Sequence, residues 1–179
     1  MNIIETTIHK SPVGELIIGT IDNKCCLLEF RHRKLIGKII PTKKKYYNAE
    51  LVEKKNELHD LIISQLDQYF EGELEEFDFP FEYRGTEFQE RVWSELLKIP
   101  YAETISYQEL SERIGNPKAI RAVGTANGFN SLAIVIPCHR VIAKNGNLQG
   151  YGGGLSNKKK LLDLEKKSKI EPETLNEWF

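Results

Sequence analysis

Ile134-Val135-Ile136-Pro137-Cys138-His139-Arg140-Val141-Ile142 is the stretch on which the reading of this 179-residue chain turns. Its apolar, β-branched start predicts a buried strand. Pro137 cannot donate to a ladder, so regular pairing should stop there. Behind the break stand a thiol, an imidazole and a guanidinium. Cys138 is one of three cysteines. His139 and Arg140 can each favour the thiolate, the nucleophilic form of the side chain. A lone cysteine is often buried and inert. One at the end of a strand is placed where a ligand can reach it.

Downstream, Asn145-Gly146 signals a turn. Gly150-Tyr151-Gly152-Gly153-Gly154 follows, backbone that can approach a flat ligand closely. It lacks the Lys-Ser/Thr ending of a phosphate-binding P-loop. The last clear helix is expected from Ser156 to about Lys167. Glu165 falls on its apolar face, between Leu161 and Leu162. A carboxylate there needs a partner, and His139 is the expected one, held in a tautomer that favours the protonated ring. Residues Lys169 to Phe179 are expected to add a final turn, docked through Trp178-Phe179.

Upstream, Thr86 and Gln89 fit a capping box, opening a helix with Phe88, Val92, Trp93, Leu96 and Leu97 on one face and Pro100 as its stop. Ser106 and Glu109 fit another, for a helix reaching Gly115. Asn116 as N-cap and Pro117 as first residue predict a further helix to about Asn127, stopped by Gly128. The two helices make a helix-turn-helix pattern. On the second, Ala119, Ile120, Val123 and Ala126 share one side and Arg121 points away, among Gly124, Thr125 and Gly128, with Lys118 near. Small residues around one protruding arginine suit a nucleic-acid groove.

The first half reads differently. Residues 3–9, Glu15–Ile21 and Cys25–Phe30 are strand candidates, joined by the Ser11-Pro12-Val13-Gly14 turn and an Asp22-Asn23 hairpin turn. Adjacent Cys25 and Cys26 point to opposite faces of a strand and make poor partners for one metal. Residues 31–48, with Lys43-Lys44-Lys45, are expected as a surface loop, and Ala49–Phe70 as one amphipathic helix ended by Gly72. Residues 71–84 form an acidic linker pinned by Phe77, Phe79 and Phe81. Two units are expected, 1–84 and 85–179.

Composition narrows the function classes. No apolar run approaches a membrane span, and the N-terminus lacks a secretory signal. Three cysteines suggest no disulfide framework, which fits a reducing cytoplasm. The net charge is −1, but residues 84–170 hold 14 Lys and Arg against 8 Asp and Glu. A basic second half on a near-neutral chain points to a polyanion.

The isoleucine-rich run ending in Pro137-Cys138-His139-Arg140 resembles the active-site signature of the O6-alkylguanine-DNA alkyltransferases, the methylated-DNA–protein-cysteine methyltransferases. The similarity extends over about residues 85–167. It takes in Phe88-Gln89, Val92-Trp93, Ile105-Ser106-Tyr107-Gln108, Gly115-Asn116-Pro117-Lys118-Ala119, Arg121-Ala122-Val123-Gly124, Asn130, and Gly150-Tyr151 with Gly153-Gly154-Leu155. The pieces are weak singly; their order and spacing are specific.

The resemblance implies an α+β fold: a small N-terminal antiparallel sheet with helix, ribonuclease H-like, then a helical domain with a winged helix-turn-helix. It implies direct-reversal repair of double-stranded DNA containing O6-alkylguanine, and of O4-alkylthymine, by irreversible transfer to Cys138 after base flipping. His139 would link Cys138 through a water to Glu165, and Asn130 would stabilise the adjoining turn. Tyr107 would crowd a phosphate and serve the leaving guanine. Arg121 would fill the duplex gap, with Lys118, Ala119, Ala122, Gly124, Thr125 and Arg140 at the DNA. Tyr151, Gly152, Pro137 and Val141 would line the base pocket. No cofactor, metal or membrane is expected, and a cytoplasmic monomer is (nuclear in a eukaryote). The sequence departs from the family at Gly152, where many members carry Ser. Two other classes would use part of this set: a helix-turn-helix regulator without alkyl transfer, and a cysteine hydrolase.

Overall fold

The computed structural model describes residues 1–174, with side chains through Ile170; Trp178-Phe179, expected to dock, lie outside the described residues. The first unit is built on a four-stranded sheet. Strands β1 (Asn2–Ser11), β2 (Gly14–Ile21) and β3 (Lys24–Phe30) form the expected antiparallel meander. Asp22 and Asn23 both take positive φ, +47° and +57°, at the β2–β3 turn, the backbone of a two-residue hairpin turn.

Residues expected as a loop instead form helix α1 (Ile36–Tyr47). Pro41 in its interior and the lysine run mask the helical pattern. Yet Ile39, Lys43 and Tyr47, four residues apart, make one buried stripe. Asn48 then takes φ +45° and reverses the chain. The expected single helix of residues 49–70 is therefore two elements: strand β4 (Ala49–Glu53), paired parallel to β1, and helix α2 (Glu57–Phe70). The sheet order is β3-β2-β1-β4, so the antiparallel meander gains a parallel fourth strand. The unpaired edge of β1 overrode the helical spacing of residues 49–53. Helix α2 buries Leu58, Ile62, Leu66 and Tyr69 against the sheet, with Leu61 turned to solvent.

Strand β3 would leave an open edge, and the linker and the second unit close it together. Cys25 N–H donates to Pro80 O and Glu82 N–H to Cys25 O, both at 2.9 Å. Farther along, Leu28 N–H donates to Ser131 O at 2.9 Å and Ala133 N–H to Leu28 O at 2.8 Å. One β edge thus fixes both the aromatic linker and the segment leading to Cys138, and it is covered against association with other chains.

The second unit holds α3 (Glu87–Leu96), β5 (Ile105–Ser106), α4 (Tyr107–Arg113), α5 (Ile120–Gly128), β6 (Val141–Ile142) and α6 (Leu155–Thr174). The Thr86–Gln89 capping box is reciprocal, and Ser106 caps α4. Gly115, at φ +77°, ends α4. Helix α5 begins three residues later than expected, because Asn116 to Ala119 close a turn, with Ala119 N–H donating to Asn116 O at 3.0 Å. Helix α6 runs beyond Lys167 to Thr174. Among the described residues no helix is long and apolar enough to cross a membrane.

Helix α3 anchors α5 through Trp93, whose Nε1–H donates to Ala126 O at 2.9 Å in the core. Trp93→Phe keeps most of the apolar contact but removes that bond, leaving Ala126 O to the Phe129 N–H at 3.1 Å. Urea unfolding should show a loss of about 0.5–1.5 kcal/mol; an unchanged midpoint would mean that the bond carries no weight.

Candidate active site

Residues 132–137 are buried, as the apolar run requires, but they are not a strand. Leu132 makes one bridge to Leu28, and the chain then coils. Val135 N–H donates to Ala133 O at 2.8 Å around Ile134, which sits at φ +72°. That is a γ-turn of the rare, strained hand, costly for a β-branched residue. Pro137, at φ −80° and ψ 61°, centres a relaxed inverse γ-turn in which Cys138 N–H donates to Ile136 O at 2.8 Å. Cys138–Arg140 form one 3₁₀ turn leading into β6. Two tight turns, not an extended strand, present Cys138.

Asn130 fixes this coil from within. It is 1% exposed. Its Nδ2 donates to Ile136 O at 2.8 Å and reaches Cys138 Sγ at 3.3 Å, and its Oδ1 accepts from Leu132 N–H at 3.0 Å. Asn127 Nδ2 adds a contact of 3.4 Å to Cys138 O. Burial raises the Cys138 thiol above its ordinary pKa, and the Asn130 bond opposes that. The resting side chain is accordingly a thiol at neutral pH.

Glu165 is fully buried and meets His139, as its place on the helix face required. His139 Nε2 lies 2.7 Å from Oε1. Three groups share the carboxylate: Tyr69 O–H donates at 2.8 Å, Ala102 N–H at 3.2 Å, and Arg140 through Nη2 at 2.9 Å and Nε at 3.0 Å. Arg140, expected at the DNA, is therefore turned inward; it is 7% exposed, and its Nη1 donates to Ile99 O at 2.8 Å. Burial alone would raise the Glu165 carboxyl; the His139 and Arg140 hydrogen bonds and charges outweigh it and bring it down to about 2. Burial lowers the His139 pKa against the pull of Glu165. With Arg140 already balancing the carboxylate, the ring is neutral rather than protonated. Nε2 carries the proton that Glu165 accepts, which leaves Nδ1 basic; Nδ1 is buried and has no protein partner.

A cleft of about 500 Å³ opens over Cys138. Tyr107, Gly124, Asn127, Asn130 and Gly150–Gly154 line it, and so does a part of the first unit around Glu29–Leu35. Of the expected pocket residues, Tyr151 and Gly152 are there. Pro137 lies instead on a second cavity behind the turn, and Val141 is fully buried in β6. Tyr107 O–H donates to Gln149 O at 2.9 Å, so the hydroxyl is engaged with the glycine loop. Gly153 is required by contact: a Cβ there would stand 2.6 Å from the Phe30 ring.

Arg121, Ala122, Thr125 and Lys118 are exposed on or beside α5, and Ala119 and Gly124 half-buried. Val123 and Ala126 form the inner side; Ile120, expected with them, is 41% exposed. Among the described residues no group of three or more His, Cys, Asp or Glu side chains could hold a metal ion.

Two parts of the site escape a reading of the sequence. Lys158 is fully buried, its Nζ donating to Val141 O at 2.5 Å, Gln149 O at 3.0 Å and Gly150 O at 3.3 Å. Residues 158, 161, 162 and 165 share one helical face, so the argument that marks Glu165 also marks Lys158. Glu29 and Arg33 pair at 2.6 Å inside the cleft; a charge within the apolar run Cys25–Phe30 is the only local sign of them.

The chain matches the family model described as 6-O-methylguanine DNA methyltransferase, ribonuclease-like domain, over residues 3–83, and that of the DNA binding domain over residues 87–167. It is 59% identical over 104 residues to a methylated-DNA–protein-cysteine methyltransferase of Mycobacterium bovis, 58% of this chain and 63% of that relative's length. A Methanosarcina acetivorans protein of the same description is 49% identical over 158 residues, 88% of this chain and 96% of the relative. The crystal structure of Mycobacterium tuberculosis OGT in complex with DNA superposes with a TM-score of 0.77 at 40% identity, covering 93% of this chain and 94% of that one.

An ordinary glutamate carboxyl titrates at about 4.5. A depressed folded-state value gives stability that is present above the unfolded pKa and lost as pH falls towards about 2, worth about 3 kcal/mol. His139, buried neutral, adds acid sensitivity below its ordinary value. Glu165→Gln should cost about 3–5 kcal/mol at pH 7, since Arg140 loses its counter-ion. The variant should also flatten the acid limb between about pH 4.5 and 2. Denaturant titrations across pH check both, and parallel acid limbs in parent and variant would contradict the assignment.

Proposed function

The chain belongs to the methylated-DNA–protein-cysteine methyltransferase family, and from that footing we propose that it repairs alkylated DNA by direct reversal, moving the alkyl group from guanine O6 in a duplex onto Cys138. The observation that carries the proposal is a thiol on the floor of a cleft beside the exposed face of α5, backed by a neutral histidine held by a buried carboxylate.

The steps follow from these groups. Helix α5 enters the minor groove, with Arg121 in the gap left by the flipped base and Lys118, Ala119, Ala122, Gly124 and Thr125 along the contact. The guanine enters beside Tyr151 and Gly152. His139 Nδ1 takes the Cys138 proton through a bridging water, and Glu165 stabilises the imidazolium that forms. Sγ then attacks the alkyl carbon, the C–O6 bond breaks, and its electron pair passes to O6 and the purine ring. A proton returned to the base completes the exchange. Asn130 steadies the developing thiolate, and Tyr107 crowds the backbone phosphate once DNA draws it from Gln149. The thioether has no reverse path, so each molecule acts once. The same pocket serves O4-alkylthymine.

The proposal includes no cofactor, a monomer, a boundary between residues 84 and 85, and a cytoplasmic or nuclear place of work. The three cysteines are free and buried, which suits a reducing compartment.

Duplex DNA carrying O6-[³H-methyl]guanine tests the function. The parent chain should take up label, and Cys138→Ser should bind the same duplex without taking it up. Binding by the parent without label transfer would make the chain a lesion-binding regulator. Arg121→Ala should slow transfer from duplex DNA while leaving reaction with free O6-benzylguanine within about twofold, because the side chain is solvated and does not line the cleft. Equal losses on duplex and free base would remove Arg121 from base flipping.

A further inference from the structure

The cleft contains a cation that the steps above do not use. Arg33 follows β3 by three residues and is 7% exposed. Its Nη1 donates to Glu29 Oε2 at 2.6 Å and to Asn130 O at 3.3 Å, and its Nη2 donates to Gly128 O. Glu29 is fully buried, and its other oxygen accepts from Phe30 N–H at 2.9 Å. The guanidinium therefore joins the first unit to the end of α5 and to the residue that holds Sγ. Its Nε–H is buried and has no partner in the protein. A guanidinium left with an unmet donor in a closed site is costly, and both Arg33 and Cys138 line the cleft.

Gly152 stands against this group. A Cβ there would lie 2.5 Å from Arg33 Nε and 2.8 Å from Nη1. Gly152 has no positive φ, so its backbone does not call for glycine; the neighbouring guanidinium does. The wall of the pocket thus carries a cationic donor where a side chain at position 152 would otherwise stand.

We propose that Arg33 is a substrate-contacting residue of the transfer reaction, its Nε–H donating to O6 of the flipped base while Glu29, Gly128 and Asn130 fix the guanidinium over Gly152. This rests on the alkyl-transfer reading. As the Sγ–C bond forms and the C–O6 bond breaks, negative charge grows on O6. A fixed positive donor in a water-poor cleft favours that state more than the neutral alkylated base. Burial pushes the Glu29 carboxyl up to about 7 in spite of Arg33, so loss of the guanidinium can be met by protonation of Glu29 rather than by unfolding.

Single-turnover transfer is measured from duplexes carrying O6-methylguanine or 6-methylthioguanine, whose sulfur accepts hydrogen bonds poorly. Arg33→Met should slow transfer from the oxygen substrate about 10- to 100-fold and from the sulfur substrate less than about threefold. Alkylation of Cys138 by iodoacetamide should stay within about twofold of the parent, since Glu29 and Arg33 act on the thiol with opposite sign and Glu29 can take up a proton when the guanidinium is gone. Adding Gly152→Ser to Arg33→Met should recover part of the loss, whereas Gly152→Ser alone should slow the parent by collision. If Arg33→Met does not fold, Arg33→Met with Glu29→Gln takes its place with the same expectations. Equal slowing on both substrates, or none, overturns the role of Arg33. A parent chain that transfers label from neither duplex overturns the alkyl-transfer reading itself, which separates the two failures.

Discussion

One buried carboxylate ties this molecule together. Glu165 comes from α6, His139 and Arg140 from the turn behind Cys138, Tyr69 from α2 of the first unit, and Ala102 from the loop after α3. Desolvating a carboxylate costs several kcal/mol, and only near-complete satisfaction of its oxygens offsets that. Here four partners do so, drawn from three separate segments. The interaction that orients the histidine therefore also fixes how α2 and α6 meet, and the chemistry cannot be loosened without loosening the core.

Arg140 changes the electrostatics of this arrangement. A carboxylate facing only an imidazole would hold it protonated. A carboxylate already neutralised by a guanidinium leaves the ring neutral, with a free basic nitrogen. On the proposed alkyl transfer, this arrangement together with a thiol raised by burial makes Cys138 a nucleophile generated on demand. Such a thiol reacts slowly with adventitious alkylating agents and oxidants until a substrate is seated, which suits a residue that the proposal uses once.

What the sequence makes legible follows physical lines. Glu165 is visible because a charge on an apolar helix face must find a partner, and the capping boxes at Thr86 and Ser106 because their bonds are local. Helix α1 is hidden by Pro41 and by Lys43, which reads as solvent-facing yet lies buried over the Tyr47 ring at 5.7 Å. Residues 49–53 carry helical spacing but answer to an unpaired edge of β1, a non-local demand. The segment before Cys138 has strand composition, and its burial is as expected; its conformation is set by Asn130, whose amide replaces ladder partners. The inward turn of Arg140 and the Glu29–Arg33 pair depend on which units meet, and no local pattern encodes that.

The Lys158 clasp has a further consequence, for how freely sequence can drift around the cleft. One ammonium grips Val141 on one side and Gln149 and Gly150 on the other, so the spacing between β6 and the glycine loop is set by that side chain, with Tyr107 O–H holding Gln149 O beside it. The chain between them, with its solvent-facing Asn145-Gly146 turn, closes on itself, Ala143 N–H donating to Asn147 O and Gly146 N–H to Ala143 O. Its length and composition are free to vary, and a peptide inserted there, at an exposed tip, would leave the shape of the cleft intact. The molecule thus offers a graft point a few residues from its reactive centre.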